Sequence, residues 1–312
     1  MAEPDPGVLR QHLAARLRRA GTLTDPVVER AFLSVPRELF VAAVAARQGL
    51  EAVYRDDAIV IKRDALGRPA SSSSQPSIMA VMLEQLQLRP GQRVLEIGAG
   101  SGYNAALLSS LVGPGGLVVS VELDEEVAQA ARAALAQGGY SVQVATADGR
   151  QGWAAAAPFD RIIVTASTDD IPQAWREQLV VGGRLVVPLR FSRRWFLPQA
   201  VVALQRTAVG LESVAVVPGA FMALRRPPRD GRPPGAAANT AARVRWRLLQ
   251  VLLLLQGLAA APLAWLPGLG DLRVTVTSAE HGQPPAARIR LQRDEATIFV
   301  HWRRRDRSRR AR

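Results

Sequence analysis

The chain has 312 residues, 48% of them hydrophobic and 21% charged, enough for a catalytic domain with a sizeable core plus a smaller appendage. It contains no cysteine, which excludes disulfides, thiolate zinc sites, iron–sulfur clusters and cysteine nucleophiles. The net charge of +13 points to nucleic acid or an acidic partner, and equally to a compositional bias toward Arg, Ala, Gly and Pro, with arginine far outnumbering lysine.

The first residues, Met-Ala-Glu-Pro-Asp-Pro, lack the basic and apolar pattern of a secretory signal, so a cytoplasmic location is expected. Residues 8–47 read as helices: Leu13, Leu17 and Ala20 share a face, and Thr24-Asp25-Pro26 offers a cap with proline in the first turn. A polar loop is predicted over residues 54–74, with Gly67, Pro69 and four consecutive serines at its end. Loops of that length are binding segments or lids when they are not linkers.

From residue 77 to 188 helical and strand patterns alternate. The spacing predicts helices at 78–88, 104–111 and 125–137, and strands at 93–97, 117–121, 142–146, 161–165 and 183–188. Alternation of this kind specifies a parallel sheet with helices on both faces. Two further strands are expected at 199–205 and 211–217. Residues 225–239 read as a Pro/Gly/Arg linker. The apolar stretch 248–270 is long enough to span a membrane, but Gln250, Gln256, Pro262 and Pro267 interrupt it. An amphipathic helix over 244–261, with strands at 272–277, 288–291 and 297–302, is the preferred reading of this region. The expected organisation is helices and active-site loop (1–76), core (77–224), linker (225–239), small C-terminal α/β region (240–302) and basic tail (303–312).

Only His12, His281 and His301 are available for a histidine-based hydrolase or metal site, and they lie far apart, so no metal is expected. The informative string is Val94-Leu95-Glu96-Ile97-Gly98-Ala99-Gly100-Ser101-Gly102-Tyr103, a strand running into a glycine loop and then a helix. Such loops bring backbone amides close to a ligand. The spacing differs from the G-x-G-x-x-G dinucleotide fingerprint. Glu96, just before the loop, suits a ligand bearing an amino group and a sulfonium better than a pyrophosphate. Glu122 at the end of the next strand is placed to accept the ribose hydroxyls, and Asp148, followed by Gly149, the adenine amine. Together these acids, each at the carboxyl end of a successive strand, read as a site for S-adenosyl-L-methionine in a Rossmann-like α/β fold.

Across residues 9–224 the chain resembles the protein-L-isoaspartate O-methyltransferase family. The matching strings include Val35-Pro36-Arg37-Glu38-Leu39-Phe40, Ser74-Gln75-Pro76-Ser77-Ile78-Met79-Ala80, the glycine loop, Asp148-Gly149, residues 157–166 and residues 182–188. The resemblance implies methyl transfer from S-adenosyl-L-methionine to the carboxylate of an isoaspartyl residue; the ester then closes to a succinimide that can hydrolyse to aspartate. It implies Ser74 as the active-site serine and Glu96, Gly98, Gly100, Glu122, Asp148, Gly149 and Thr165 as cofactor contacts. Tyr54, Asp56, Gln75 and Pro76 fall on the acceptor side. The partner is then a protein or peptide carrying an isoaspartyl or aspartyl carboxylate, and a monomer is expected.

Departures border the acceptor pocket: Ser72-Ser73 stands where the family usually has Thr-Ile, residues 62–70 lengthen the loop, and Phe221-Met222-Ala223-Leu224 replaces a Pro-Leu-Thr-like element. A rival reading keeps the chemistry and makes the acceptor an aspartate of a ribosomally made precursor peptide. A reading from another class is a membrane-anchored or nucleic-acid-binding protein on a degenerate methyltransferase fold. It rests on residues 248–270 and the arginine tail, which has little aromatic interleaving, so membrane and nucleic acid are disfavoured as partners.

Overall fold

The computed structural model describes residues 4–190 and 199–227 in full, together with the backbone of three further strands within 273–301. Five helices open the chain: α1 (Pro6–Arg19), α2 (Pro26–Ser34), α3 (Arg37–Phe40), α4 (Ala42–Gln48) and α5 (Leu50–Val53). The first two start alike, with an aspartate cap before a proline. Asp5 accepts from the Gly7 amide and Asp25 from the Val27 amide, each at 2.7 Å. Leu13, Ala14 and Leu17 form the buried face of α1, whereas Ala20 is its exposed C-cap, outside the face the spacing assigned to it.

The segment predicted as an unstructured loop is a hairpin, β1 (Ile59–Arg63) and β2 (Pro69–Ser73), paired antiparallel from Ile59↔Ser73 to Arg63↔Pro69. Asp64 builds its turn: the carboxylate accepts from the amides of Leu66 and Arg68 at 2.9 Å each, and Gly67 takes φ +73°. The serine run masked a strand that Ile59-Val60-Ile61 and the Asp64–Gly67 turn chemistry could have revealed.

Helix α6 (Pro76–Leu86) leads into β3 (Arg93–Ile97), α7 (Tyr103–Val112), β4 (Leu117–Glu122), α8 (Glu125–Gln137), β5 (Gln143–Thr146), β6 (Phe159–Val164), α9 (Gln173–Gln178), β7 (Leu179–Arg190), β8 (Gln199–Arg206) and β9 (Gly210–Pro218). The sheet order β5-β4-β3-β6-β7 is parallel throughout, and β8 and β9 continue it antiparallel. Beyond β9 lie β10 (Arg273–Thr277), β11 (Arg288–Arg293) and β12 (Ala296–His301), with Val276 opposite Leu211. The three C-terminal strands predicted for a separate small region therefore extend the core sheet. The predicted helix at 244–261, the linker beyond residue 227 and the basic tail lie outside the described residues.

Strand parity divides the core in two. Val94, Val118, Ile163 and Val186 pack beneath α6, α7 and the N-terminal helices. Leu95, Ile97, Val119, Val121, Ile162 and Val164 face the other way, toward Trp175 of α9, a helix the sequence reading missed. At the lower edge of the sheet, neighbouring Arg161 and Arg184 donate to the carbonyls that end α6. Arg161 Nε reaches Leu86 O at 2.7 Å, and Arg184 Nη1 reaches Gln85 O at 2.9 Å. Cations at a helix C-terminus also complement its dipole.

Candidate active site

Strand order reverses at β3: β4 and β5 lie to one side, β6 and β7 to the other. Open α/β sheets bind ligands in the crevice at such a switch point, beyond the carboxyl ends of the strands. The glycine turn sits there. Gly98, Gly100 and Gly102 have φ of +99°, +52° and +86°, a region that disfavours side chains. A Cβ on Gly98 would lie 2.4 Å from Thr165 Oγ1, and one on Gly100 would lie 3.1 Å from the carbonyl oxygen of Ser72. Thr165 follows β6 and ties the two strand ends together. Its amide donates to Ile97 O at 3.0 Å and its hydroxyl to Gly98 O at 2.7 Å.

Glu122 ends β4. Its carboxylate accepts from the amides of Gly100 at 3.1 Å, Leu123 at 2.9 Å and Asp124 at 3.2 Å, so it braces the glycine turn while lining the crevice. Arg225 approaches it at 4.0 Å. Asp148 follows β5 and caps a short 3-10 turn, accepting from the Arg150 amide at 3.0 Å. Gly149 begins that turn, where a Cβ would meet Ile97 Cγ2 at 2.6 Å, and its carbonyl receives the indole N–H of Trp175 at 2.7 Å. Both carboxylates have acceptor capacity beyond these bonds.

Glu96 is held by protein partners. Strand parity puts it on the face covered by α7, where it has no exposed surface. Asn104 Nδ2 donates to Oε1 at 2.7 Å, and the Ser120 hydroxyl donates to Oε2. The carboxylate thus supports the turn from beneath. Burial pushes its pKa up to about 7; the two hydrogen bonds oppose that shift, and the charge of Glu122 adds to it. Asn104 and Ser120 were legible only as polar interruptions in otherwise apolar buried runs.

On the acceptor side, Ser74 joins β2 to α6. It is half-buried, its carbonyl receives Arg37 Nη2 at 3.1 Å, and its hydroxyl makes no hydrogen bond to another described residue. Asp56 holds the turn that follows: Oδ1 accepts from the Ser77 amide at 2.8 Å, and Oδ2 from Gln75 Nε2 at 3.2 Å. Pro76 is buried as the first residue of α6. Tyr54, expected at the acceptor, is instead 3% exposed, with its hydroxyl donating to Glu38. That bond and burial raise its pKa well above the usual phenol range. Tyr54 and Asp56 therefore shape the loop around Ser74, because their polar atoms are already committed to protein partners. Sequence reasoning had given no role to Arg37 or Trp175.

The structure thus brings together the Ser74 loop, the glycine turn, Glu122, Asp148, Gly149 and Thr165. Among the described residues there is no group of three His, Asp or Glu that could hold a metal ion, and no helix long and apolar enough to cross a membrane. The stretch 248–270 lies outside the described residues.

The profile of the Protein-L-isoaspartate(D-aspartate) O-methyltransferase family matches residues 9–218. A protein-L-isoaspartate O-methyltransferase of Methanopyrus kandleri is 41% identical over 182 residues, covering 58% of this chain and 76% of the relative. The enzyme numbered 2 in Archaeoglobus fulgidus is 40% identical over 189 residues, covering 60% and 81%. A solved protein-L-isoaspartate O-methyltransferase superposes with a TM-score of 0.63 at 34% identity, covering 70% of this chain and 66% of that one. A Plasmodium falciparum structure in complex with S-adenosyl-L-homocysteine, 19% identical, shares the fold with a TM-score of 0.59 over 72% of this chain and all of that one. Glycine turn, strand-end acids and serine loop occur here in one crevice, within the span that these relatives share. The chain belongs to the protein-L-isoaspartate(D-aspartate) O-methyltransferase family.

Proposed function

We infer that this chain transfers a methyl group from S-adenosyl-L-methionine to the free carboxylate of an isoaspartyl residue in a protein or peptide. One observation carries the reading: the acceptor loop closes on the cofactor turn, with Ser72 O 3.1 Å from the Cβ position that Gly100 leaves empty. The residues fit the nucleoside. A turn with three positive-φ glycines follows β3, and the next two strands of the sheet end in carboxylates suited to ribose hydroxyls and an adenine amine.

S-adenosyl-L-methionine, when bound, would supply a methyl group on a sulfonium: the C–S bond would break as the carboxylate oxygen bonds to the methyl carbon, leaving a neutral thioether. Glu122 and Asp148 hold the nucleoside, and Thr165 fixes the turn that the donor lies against. The Ser74 hydroxyl, without a partner among the described residues, donates a hydrogen bond to the acceptor carboxylate and aims one oxygen. An ionised carboxylate needs no general base, so catalysis is alignment and exclusion of water by the β1–β2 hairpin. The ester then closes to a succinimide without further help from the protein.

In this reading residues 77–224 bind the donor, residues 1–76 supply the acceptor loop, and the protein works in the cytoplasm as a monomer. The test is incubation with an isoaspartyl peptide, its aspartyl counterpart and methyl-labelled S-adenosyl-L-methionine. Base-labile label on the isoaspartyl peptide is expected. Label on neither peptide overturns the reading; label on the aspartyl peptide alone moves the acceptor to that of a dedicated precursor peptide.

A further inference from the structure

We propose that Arg37 is a positioning residue for methyl transfer: its buried guanidinium locks the base of the acceptor hairpin, and Ser74 with it, against the helix that follows the glycine turn. The proposal rests on the methyltransferase reading above and assigns a task to a side chain that touches neither substrate.

Arg37 has no exposed surface, yet none of its hydrogen bonds goes to a carboxylate. Nη1 donates to Val53 O at 2.9 Å and Arg55 O at 3.0 Å. Nη2 donates to Asp57 O at 3.0 Å and Ser74 O at 3.1 Å. Residues 57 and 74 flank the hairpin on its two sides. One nitrogen therefore holds both ends of the excursion together. The planar fork meets four carbonyls at once, which the ammonium of lysine, with three donors on one atom, cannot do.

The other face of the guanidinium lies 5.8 Å from the ring centroid of Tyr103, the first residue of α7. Tyr103 is fully buried and directly follows Gly102 of the cofactor turn. A single cation thus bridges acceptor loop and donor helix. The adjacent Glu38 reinforces it by taking the hydroxyl of Tyr54 and the guanidinium of Arg10, the latter at 3.3 Å.

Burying a cation without a directly bonded carboxylate is costly: desolvation depresses the pKa of Arg37 below the usual guanidinium range, although the nearby charges of Asp56 and Asp57 oppose it. The arrangement makes sense where carbonyls of an otherwise irregular loop must be fixed within a fraction of an ångström. Misplacement by about 1 Å can cost ~100-fold in rate.

The experiment compares full-length Arg37→Lys and Arg37→Ala with wild type. It measures kcat and KM on an isoaspartyl peptide, S-adenosyl-L-homocysteine affinity by calorimetry, and amide exchange over residues 53–57 and 72–77. Expected are S-adenosyl-L-homocysteine affinities within about threefold of wild type, a kcat lower by ~100-fold, and faster exchange in both segments. Methylguanidinium added to Arg37→Ala should restore about tenfold of the lost kcat, while leaving wild type unchanged. Unchanged kcat in a variant of wild-type helicity overturns the proposal, as does parallel loss of nucleoside binding and turnover without rescue. Should Arg37→Ala not fold, Arg37→Lys alone decides by the same kcat and affinity criteria. Should wild type itself not methylate the peptide, the functional reading fails separately, and exchange decides: faster exchange in the variants supports the clasp, unchanged exchange refutes it.

Discussion

Gly98 and Thr165 fit so closely that the hydroxyl of one occupies the space a side chain on the other would need. The φ of +99° at Gly98 adds a second penalty for any other residue. We therefore expect Gly98→Ala to weaken S-adenosyl-L-homocysteine binding by at least ~100-fold and to cost about 2–4 kcal/mol of stability. Adding Thr165→Ala should recover part of the stability, since it removes the clash and leaves the backbone strain. Calorimetry and denaturant titration of single and double variants check this; an unperturbed single variant would remove the glycine turn from the cofactor site.

Ser74→Ala should lower kcat on an isoaspartyl peptide by ~10–100-fold, the worth of one hydrogen bond to a charged group, with nucleoside affinity unchanged. The neighbouring Ser73 supplies the control. Its hydroxyl is buried without a partner among the described residues. Ser73→Ala should leave turnover within about twofold and hold or raise stability by up to ~1 kcal/mol. Equal loss from both substitutions would mean that serine chemistry is not what distinguishes position 74.

Glu96 makes stability depend on pH in a direction opposite to most carboxylates. Its folded pKa stands at about 7 against an ordinary 4.5. Between those values the unfolded chain has released the proton that the folded chain keeps. Stability from this group therefore falls as pH rises from 4.5 to 7 and is level above that, a change on the order of 3 kcal/mol. In Glu96→Gln that arm should vanish, because the amide still accepts from Asn104 and can donate to Ser120. Denaturation midpoints at pH 5 and pH 7.5 for both proteins measure it; identical pH slopes would refute the assignment.

Trp175→Phe removes the indole donor from Gly149 O, which then keeps only the Gly152 amide at 3.1 Å. A loss of about 0.5–1.5 kcal/mol is expected, together with weaker S-adenosyl-L-homocysteine binding, since Gly149 opens the turn capped by Asp148. Binding that stays constant while stability falls would separate α9 from the adenine side of the site.

The parallel strands and the cofactor turn were legible because each announces itself locally. Apolar runs of strand length end in glycine or an acid, and helix-length segments lie between them. What escaped was decided across distance. The sequence cannot say that Arg37 reaches carbonyls at 53, 55, 57 and 74, nor that Tyr54 spends its hydroxyl on Glu38. The partners of Glu96 escaped for a related reason: its position beside the glycines suggested a ligand contact, and only the assembled sheet shows it under α7, bonded to Asn104. The hairpin was missed because four serines outweighed the β-branched residues opposite them.

Helix α6 is anchored at both ends, by Asp56 at the Ser77 amide and by Arg161 and Arg184 at carbonyls 85 and 86. It is a strut about 16 Å long between the sheet's far rim and the Ser74 loop. Heat or mutation that loosens the rim is thereby transmitted to the chemistry, so catalytic failure and unfolding should arrive together.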